Sequence, residues 1–539
     1  MPALSEQSSL VVALAVVAGL LVYKFHKDRQ RPTLKLPPSP RSYPLIGNLL
    51  SIPQEHEYLG FMKLGEELGS DIISLSAFGT TIVALNKRED VINLFEKRSA
   101  IYSDRTIPAM VAEPSLLNWA GFASVVRYGD RWRMYRRLLN PWIHKQAATA
   151  FHGSQEQEAR KFLQRLLKVY KNINTSEELE AELCLTIAST LTRSVYGHEA
   201  KSIEDPYIVA ARSVFGFLSK AALASNYSVN SIPALLHVPD WFPGTGWKQE
   251  AREWRQKKEE IVGGIYQLAM DHVKKGTEQN VIAASLKKHG LQLGLTEDQA
   301  DDYVQQIAIT LFAGGMDTTV NTLLMFTVAM ILFPEVQKKA QEELDKVIGN
   351  SRLPAVADRE ELDYTWRLVQ EVLRWGPVAP IAFPHTCFED DNYKGYDIPK
   401  GTILIGNVWY VASVLVLTVK TQCNLTYRAL SRDPEVYKDP ETFDPDRFLD
   451  PSVPPSSVFG WGRRRCPGVH FAEASLFSVI ATLLIGFKIE PAQDEHGNDI
   501  RPTLEMHNAA VICPKPFKFK FIPRSAGRHE ELLRSVLEA

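Results

Sequence analysis

The sequence predicts a mainly α-helical protein with a small β region. Helical periodicity covers most of residues 155–275, and a further long helix is predicted over residues 296–333. Runs rich in β-branched residues are short; residues 72–76 and 81–85 surround a glycine turn and predict a hairpin. The chain has 539 residues and 45% apolar content, so it can bury a large core, and no linker divides its body.

Charge and cysteine content exclude several classes of protein. The net charge of −2 gives no case for a nucleic-acid partner. The five cysteines are widely spaced, odd in number and without a C-x-x-C pair, which argues against a disulfide framework or a zinc site and for a reducing compartment. They are Cys184, Cys387, Cys423, Cys466 and Cys513.

The N-terminal region predicts a single membrane anchor. Residues 8–25 are uncharged except for Lys24 near the end, and as a helix they would span about 27 Å, close to the hydrocarbon thickness of a bilayer. Basic residues follow in a basic and proline-rich hinge over 26–48, so the positive-inside rule puts residues 1–7 in the lumen and the body in the cytoplasm. A cleaved signal peptide is the alternative, but its basic region should come first.

One short loop near the C-terminus carries a candidate metal ligand. The pattern F-x-x-G-x-R-x-C-x-G is matched by Phe459, Gly462, Arg464, Cys466 and Gly468. Neighbouring arginines and a following helix N-terminus favour a thiolate, which is a good ligand for iron. A cysteine in an arginine-rich loop usually has no ligand role, but the complete pattern resembles the haem-ligand signature of the cytochrome P-450 family, the haem-thiolate monooxygenases.

The middle of the long predicted helix contains Ala-Gly-Gly-Met-Asp-Thr-Thr. Glycines such as Gly314 and Gly315 cost about 1 kcal/mol each inside a helix, and threonine hydroxyls can bond back to the backbone. A plain glycine kink is one explanation. The stretch also resembles the family's oxygen-activation motif, which implies that the glycines approach the cofactor, Asp317 relays protons, and Thr318 positions the oxygen species and its water.

A basic, aromatic helix is predicted around Trp132 and Arg136. These residues are four apart and therefore on one face, where an indole N–H and a guanidinium suit an anionic group. A surface cation–π pair would explain the spacing equally well. The segment resembles the family's propionate-binding helix, and the same resemblance implies that His385 and Arg464 also neutralise the haem propionates.

A second helix contains Glu371 and Arg374, three residues apart. Such pairs are usually surface decoration. The resemblance instead implies a buried structural triad completed by Arg447. Asp446 stands where many members of the family have glutamate.

Residues 410–428 interrupt the resemblance. The family usually runs from Asn-x-Trp straight into Ala-x-x-Arg-Asp-Pro, whereas here nineteen residues rich in β-branched side chains separate Trp409 from Ala429. The flanking codons can hold an intron donor, branch point and acceptor, and splicing there would join Trp409 directly to Ala429. We therefore interpret the segment as a retained intron; a genuine insertion is the alternative.

Taken together, the motifs imply a cytochrome P-450 fold over a single catalytic domain, residues 49–539, that binds haem b. The implied reaction inserts one atom of O₂ into an apolar small molecule, with electrons from NADPH through a separate reductase at the endoplasmic reticulum membrane. The exact residues of the motifs (AGGMDTT, FGWGRRRCPG and DWFPG), together with the possible short intron, most resemble fungal members of the family. Those members oxidise secondary metabolites, such as terpenoids or polyketides, or foreign aromatic compounds. Candidate pocket segments are residues 105–124, the helix before Gly314, and residues 378–383. A haem-thiolate isomerase or dehydratase, and an inactive haem-binding membrane protein, remain as alternatives.

Overall fold

A computed structural model describes residues 34–44, 46–222, 226–277, 281–349, 352–409, 431, 433–524, 534 and 536–537. The predicted anchor over 8–25, the hinge up to residue 33 and the suspected insertion over 410–428 lie outside the described residues. Where the chain is described, helices dominate and the strands are short, so the predicted class of a mainly α protein with a small β region is confirmed.

The described residues contain fourteen α-helices and nine strands, with short 3-10 turns between them. The helices are α1 (Glu57–Glu67), α2 (Arg88–Ile92), α3 (Ala109–Ala112), α4 (Asp130–Ile143), α5 (Lys145–Ala148), α6 (His152–Val169), α7 (Ser176–Tyr196), α8 (Pro206–Ala222), α9 (Gly246–Lys275), α10 (Ile282–Gln292), α11 (Glu297–Leu332), α12 (Pro334–Val347), α13 (Asp363–Trp375) and α14 (Val469–Gly486). The strands are β1 (Ile72–Ala77), β2 (Thr80–Leu85), β3 (His385–Thr386), β4 (Asp391–Tyr393), β5 (Tyr396–Ile398), β6 (Ile403–Gly406), β7 (Phe487–Gln493), β8 (Asp499–Ile500) and β9 (Phe519–Pro523).

The main sheet joins the N-terminal hairpin to strands from the C-terminal half. Strands β1 and β2 form the predicted antiparallel hairpin, with Ile72 opposite Leu85. Strand β6 adds to β2 in parallel, and β3 pairs antiparallel with β6, so the strand order is β1-β2-β6-β3. The pairing places His385 of β3 opposite Leu404 of β6, at one edge of the sheet.

Helix α11 is the central element of the helical part. Its N-terminus carries the predicted cap: the Thr296 hydroxyl accepts from the Gln299 N–H, while the Gln299 side chain accepts from the Thr296 N–H. Acidic Glu297 and Asp298 lie in the first turn, where they favour the helix dipole. From Val320 to Ile331 nearly every side chain is buried in the largest hydrophobic cluster, which fixes the helix in the core.

Two described helices, α11 and α14, are long and apolar enough to cross a membrane. Their apolar windows are 72% and 78% buried inside the protein, as expected for core helices. Their composition therefore reflects core packing, and it says nothing about residues 8–25.

Candidate functional site

The cysteine loop has a shape that requires its glycines. The N–H of Cys466 donates to the carbonyl of Phe459 at 2.7 Å and closes the loop on itself. Gly462 adopts a φ of +54°, and a Cβ there would lie 2.1 Å from the carbonyl oxygen of Phe95. No other residue fits that position. Helix α14 begins three residues after the cysteine, with Gly468 at its N-cap.

The surroundings of Cys466 indicate that it faces a recess inside the protein. Its side chain is accessible to solvent, yet burial raises the pKa of its thiol, so the accessible space is narrow and enclosed by protein atoms. The N–H of Gly468 and the charges of Arg136 and Arg465 act in the opposite direction and favour the thiolate. A metal ion bound to the sulfur would complete that shift, because a coordinating thiol is deprotonated.

Helix α11 opens a notch at Gly314. The neighbouring Ala313 and Met316 are buried, but Gly314 is exposed in the middle of the helix, and a Cβ added there would meet nothing within 4 Å. Thr318 lies one turn further on the same face, and its hydroxyl donates to the Gly314 carbonyl at 2.7 Å. The helix remains unbroken through this stretch, so the expected distortion is limited to that side-chain bond.

Gly315 has different surroundings from Gly314. A Cβ at Gly315 would lie 3.0 to 3.1 Å from the methyl groups of Leu191 on α7. The glycine therefore allows α7 and α11 to pack closely. Its approach to the cofactor stays a prediction.

Asp317 lies beside a small charged group on the neighbouring helices. Burial raises the pKa of its carboxyl; the exposed Arg212 of α8 acts in the opposite direction, and Glu180 of α7 adds to the rise. A carboxyl with a raised pKa keeps its proton to higher pH than an exposed one, which suits a group that transfers protons.

Trp132 holds two of the predicted arginines. The guanidinium of Arg464 lies 5.1 Å and that of Arg136 5.6 Å from the centre of its ring system. Arg464 donates to the carbonyl of Ser103 at 2.7 Å, and Arg136 donates to the carbonyl of Arg465 at 2.6 Å. The structure thus brings helix α4 and the cysteine loop together around these three side chains.

Arg105 joins this group, and the sequence motifs did not reveal its role. It is 6% exposed and donates to the carbonyls of Phe383 and Pro384 at 2.5 and 2.6 Å. Burial first, and then repulsion from Arg464 and Arg136, holds the pKa of Arg105 well below its usual range. Its Nε is buried without a partner among the described residues.

Among the described residues, little negative charge compensates the cluster of Arg105, Arg136 and Arg464; the groups that act on it are Asp104 and Cys466. Burial and repulsion from Arg136 lower the pKa of Arg464 to about 10. Asp104 is the nearby carboxylate, but it already accepts from Arg127 at 2.9 Å and from the Tyr128 N–H at 2.8 Å. Buried cations without counter-charges are costly. The three arginines therefore fit a ligand with two carboxylates, as the propionates of a haem provide.

His385 borders the same cluster in a neutral form. Its Nδ1 lies 2.6 Å from the carbonyl of Tyr102, so Nδ1 carries the proton, and its ring stacks on Phe95 at 3.9 Å. Burial first, then the charges of Arg105 and Arg464, hold the pKa of His385 well below its usual range. It could donate from Nε2 to a propionate only as an imidazolium, and an adjacent anion would favour that form.

Glu371, Arg374 and Arg447 lie together away from the recess. Arg374 donates to both carboxylate oxygens of Glu371 at 2.7 Å, and Arg447 donates to Oε1 at 3.0 Å. Glu371 and Arg374 are fully buried. Asp446 turns away from them and pairs with Arg367 at 2.7 Å. The arrangement is a structural one, because the triad binds α13 to the following loops.

Comparison with known proteins agrees with this geometry. The family model for cytochrome P450 matches residues 37–413 and 415–521. Cytochrome P450 monooxygenase 208 of Postia placenta is 34% identical over 95% of this chain and 95% of its own length. Cytochrome P450 monooxygenase COX2 of Coprinopsis cinerea is 33% identical over 97% and 95%, and cytochrome P450 monooxygenase claR of Ampulloclitocybe clavipes is 34% identical over 97% and 92%. The chain belongs to the cytochrome P450 family, and it is an oxidoreductase of the monooxygenase type.

Proposed function

We propose that the protein inserts one oxygen atom of O₂ into an apolar small molecule, and that the sulfur of Cys466 would bind the iron of haem b. The carrying observation is the position of Arg136. It is close enough to influence the charge of Cys466 and also that of Arg464 and Arg105. Ligand sulfur and anion-binding arginines therefore border one recess, which is what a planar iron cofactor with two carboxylates requires.

The proximal residues would hold the cofactor. Cys466 would bind the iron, Arg105, Arg136 and Arg464 would bind the propionates, and Trp132 would support two of those guanidinium groups. When bound, the haem supplies the redox chemistry that activates O₂. The chain contributes electron-rich sulfur, charge neutralisation and a dry site.

The distal residues would manage protons and space. The missing side chain at Gly314 leaves room on the α11 face, and the Thr318 hydroxyl can hold a water beside that space. Asp317 carries a proton more readily than an exposed carboxyl, and Arg212 and Glu180 connect it electrostatically to more accessible positions. We assign proton delivery to Asp317 and water positioning to Thr318.

Electrons would come from NADPH through a separate flavoprotein reductase. Support comes from basic side chains around His470, close to the cysteine loop. Burial is the largest cause that lowers the pKa of His470, and the charges of its basic neighbours lower it further. These neighbours are Arg465, Lys145, Arg359 and His144. A basic surface beside the iron ligand suits docking of an acidic electron donor.

We further propose that the protein is a single-pass protein of the endoplasmic reticulum membrane, with its catalytic domain in the cytoplasm. The composition of residues 8–25 supports the anchor. Exposed apolar side chains on the body support contact with a membrane surface: Trp241 is 80% and Leu50 is 73% exposed.

The substrate would be apolar, such as a fungal secondary metabolite or a foreign aromatic compound. Phe383 is 52% exposed although its neighbour Arg105 is buried, so its ring offers apolar surface beside the cofactor site. Residues 378–383 contribute Ala379 and Ile381 as further apolar surface.

A reconstituted system tests this proposal. Microsomes containing the protein and an NADPH-dependent reductase are incubated with a panel of terpenoids, polyketides and aromatic compounds under ¹⁸O₂. We expect NADPH-dependent products that carry one labelled oxygen, and none with Cys466→Ser. Products formed without NADPH, or without label, would instead indicate an isomerase or dehydratase. Haem binding without any product from the panel would support an inactive haem protein.

A further inference from the structure

Lys258 is an ammonium buried in the middle of α9. It is 6% exposed, and its Nζ donates to the carbonyls of Leu117 and Asn118 at 3.0 Å each. The carboxylate of Glu259 is 3.8 Å away, but that side chain is exposed and also pairs with Arg255 at 2.9 Å. Burying a cation costs free energy unless the cation is paired or hydrogen-bonded. Here both hydrogen bonds go to one loop.

That loop, residues 114–123, is also held by two side chains of α11. The indole N–H of Trp119 donates to Oε1 of Gln306 on α11 at 2.7 Å. The N–H of Ala123 donates to the hydroxyl of Thr310, also on α11, at 3.1 Å. Side chains of α9 and α11 therefore clamp a segment that has no regular secondary structure of its own.

The clamped loop borders the proposed oxygen site. Thr310 is four residues before Gly314 and eight before Thr318, so all three lie on one face of α11. The loop also runs between Arg105 and Trp132, two residues of the proposed cofactor site. Its C-terminal end at Ala123 is therefore one helical turn from the notch.

We propose that Lys258 is a positioning residue that fixes the loop 114–123 as a wall of the distal pocket and so limits access to the reacting centre. This inference rests on the proposed function for what the pocket contains. The clamp itself is independent of that function. Lys258 touches neither cofactor nor substrate; it acts through the two carbonyls.

Hydrogen exchange tests the clamp directly. In Lys258→Met, which keeps the length and apolar stem but loses the donors, we expect the amides of Trp119 and Ala123 to exchange roughly 10- to 100-fold faster, as for loss of hydrogen bonds to a charged group. Arg255→Met is the matched control: it lies on the same helix and donates to Pro114 at the far end of the loop. It should leave those two amides unchanged, and Lys258→Arg should restore most of the protection.

Carbon monoxide provides the functional readout. After flash photolysis of the reduced carbon monoxide complex, we expect the ligand to rebind several-fold faster to Lys258→Met than to the parent or to Arg255→Met. Unchanged exchange together with unchanged rebinding would overturn the proposal. If Lys258→Met does not fold, Gln306→Leu is the second variant, because it removes the acceptor for the Trp119 indole. It must show the same local loss of exchange protection; if it does not, the proposed clamp is wrong. A parent protein without a thiolate-type carbon monoxide spectrum would refute the proposed function, whereas the exchange result would still decide on the clamp.

Discussion

At the scale of single residues, the site is characterised by a cluster of buried and half-buried cations. Arg105, Arg136 and Arg464 surround the recess, and His385 stays neutral beside them because their charges and its burial oppose protonation. The same charges that destabilise one another prepare the protein for an anionic ligand. Binding energy for the cofactor thus comes from repulsion that the ligand relieves as well as from new hydrogen bonds.

Replacing Arg105 with methionine should weaken haem retention. Its guanidinium is buried beside Arg464 and has an unpartnered Nε, so it should provide charge-assisted hydrogen bonds worth roughly a factor of 10 to 100 in affinity. The measurement is the rate of haem transfer to a scavenging haem-binding protein. Arg98→Met is the control, because Arg98 pairs with Asp391 at 2.7 Å. Equal retention in both variants would exclude Arg105 from the cofactor site.

Lys258 should make stability depend on pH. Burial lowers its pKa to about 8, with a smaller opposing effect from Glu259 and a further lowering from Arg255. The Lys258 amine binds its proton more tightly in the unfolded chain than in the folded protein. Folding therefore releases this proton between pH 8 and the ordinary pKa of lysine, and the free energy of unfolding rises with pH across that range. Relative to Lys258→Met, the parent should gain ~2 kcal/mol between pH 7 and 9.5. Thermal midpoints of the two proteins across that range provide the measurement, and a constant difference would refute the low pKa.

At the level of elements, helix α9 holds irregular segments with buried lysines. Lys258 binds the loop 114–123, and Lys248, ten residues earlier, donates to the carbonyls of Leu236 and Val238. Residues 114–123 have no regular secondary structure, and Leu236 lies in the short 3-10 helix Pro233–His237. One long helix therefore positions two connecting segments.

The buried triad should stabilise the fold strongly. Glu371→Gln removes the charge that Arg374 and Arg447 share, leaving two buried guanidinium groups without a carboxylate, at a cost of about 3–5 kcal/mol. Glu342→Gln, in an exposed pair with Lys338, should cost no more than about 0.5 kcal/mol. Thermal unfolding of the haem-loaded variants measures both. Comparable midpoints would show that the triad contributes little.

The chain should fold with Trp409 joined directly to Ala429, without residues 410–428. The N–H of Ser431 donates to the carbonyl of Val408 at 3.2 Å, and Arg374 donates to the carbonyl of Ser431 at 3.0 Å. Removing 410–428 leaves two residues between Trp409 and Ser431, so the first bond becomes the i+4 to i bond of one helical turn. We expect the spliced transcript to lack these codons and the shortened protein to bind haem. A mature message that contains them, or a shortened chain that does not fold, would contradict this interpretation.

At the scale of the whole molecule, local sequence patterns predicted the secondary-structure elements. Most features that the sequence did not reveal depend on contacts between residues far apart in the chain. The hairpin and the capped α11 follow from neighbouring residues, so patterns revealed them. Arg105 carries no motif, because its role arises where β3, the loop before it and α4 meet in space. Lys258 lies within a run of charged residues, where a buried lysine cannot be distinguished from a solvated one. The packing role of Gly315 was not evident from the sequence because its partner, Leu191, is more than a hundred residues away.

The central claim is that Cys466 binds a haem iron as a thiolate in the recess lined by Arg105, Arg136 and Arg464. The reduced full-length protein in membranes should show a carbon monoxide difference band near 450 nm, the absorption of thiolate-ligated haem. Cys466→Ser should lose that band, while Cys513→Ser, at a cysteine outside the loop, should keep it. A parent protein that binds haem without the band, or a Cys466→Ser variant that retains it, would contradict the account.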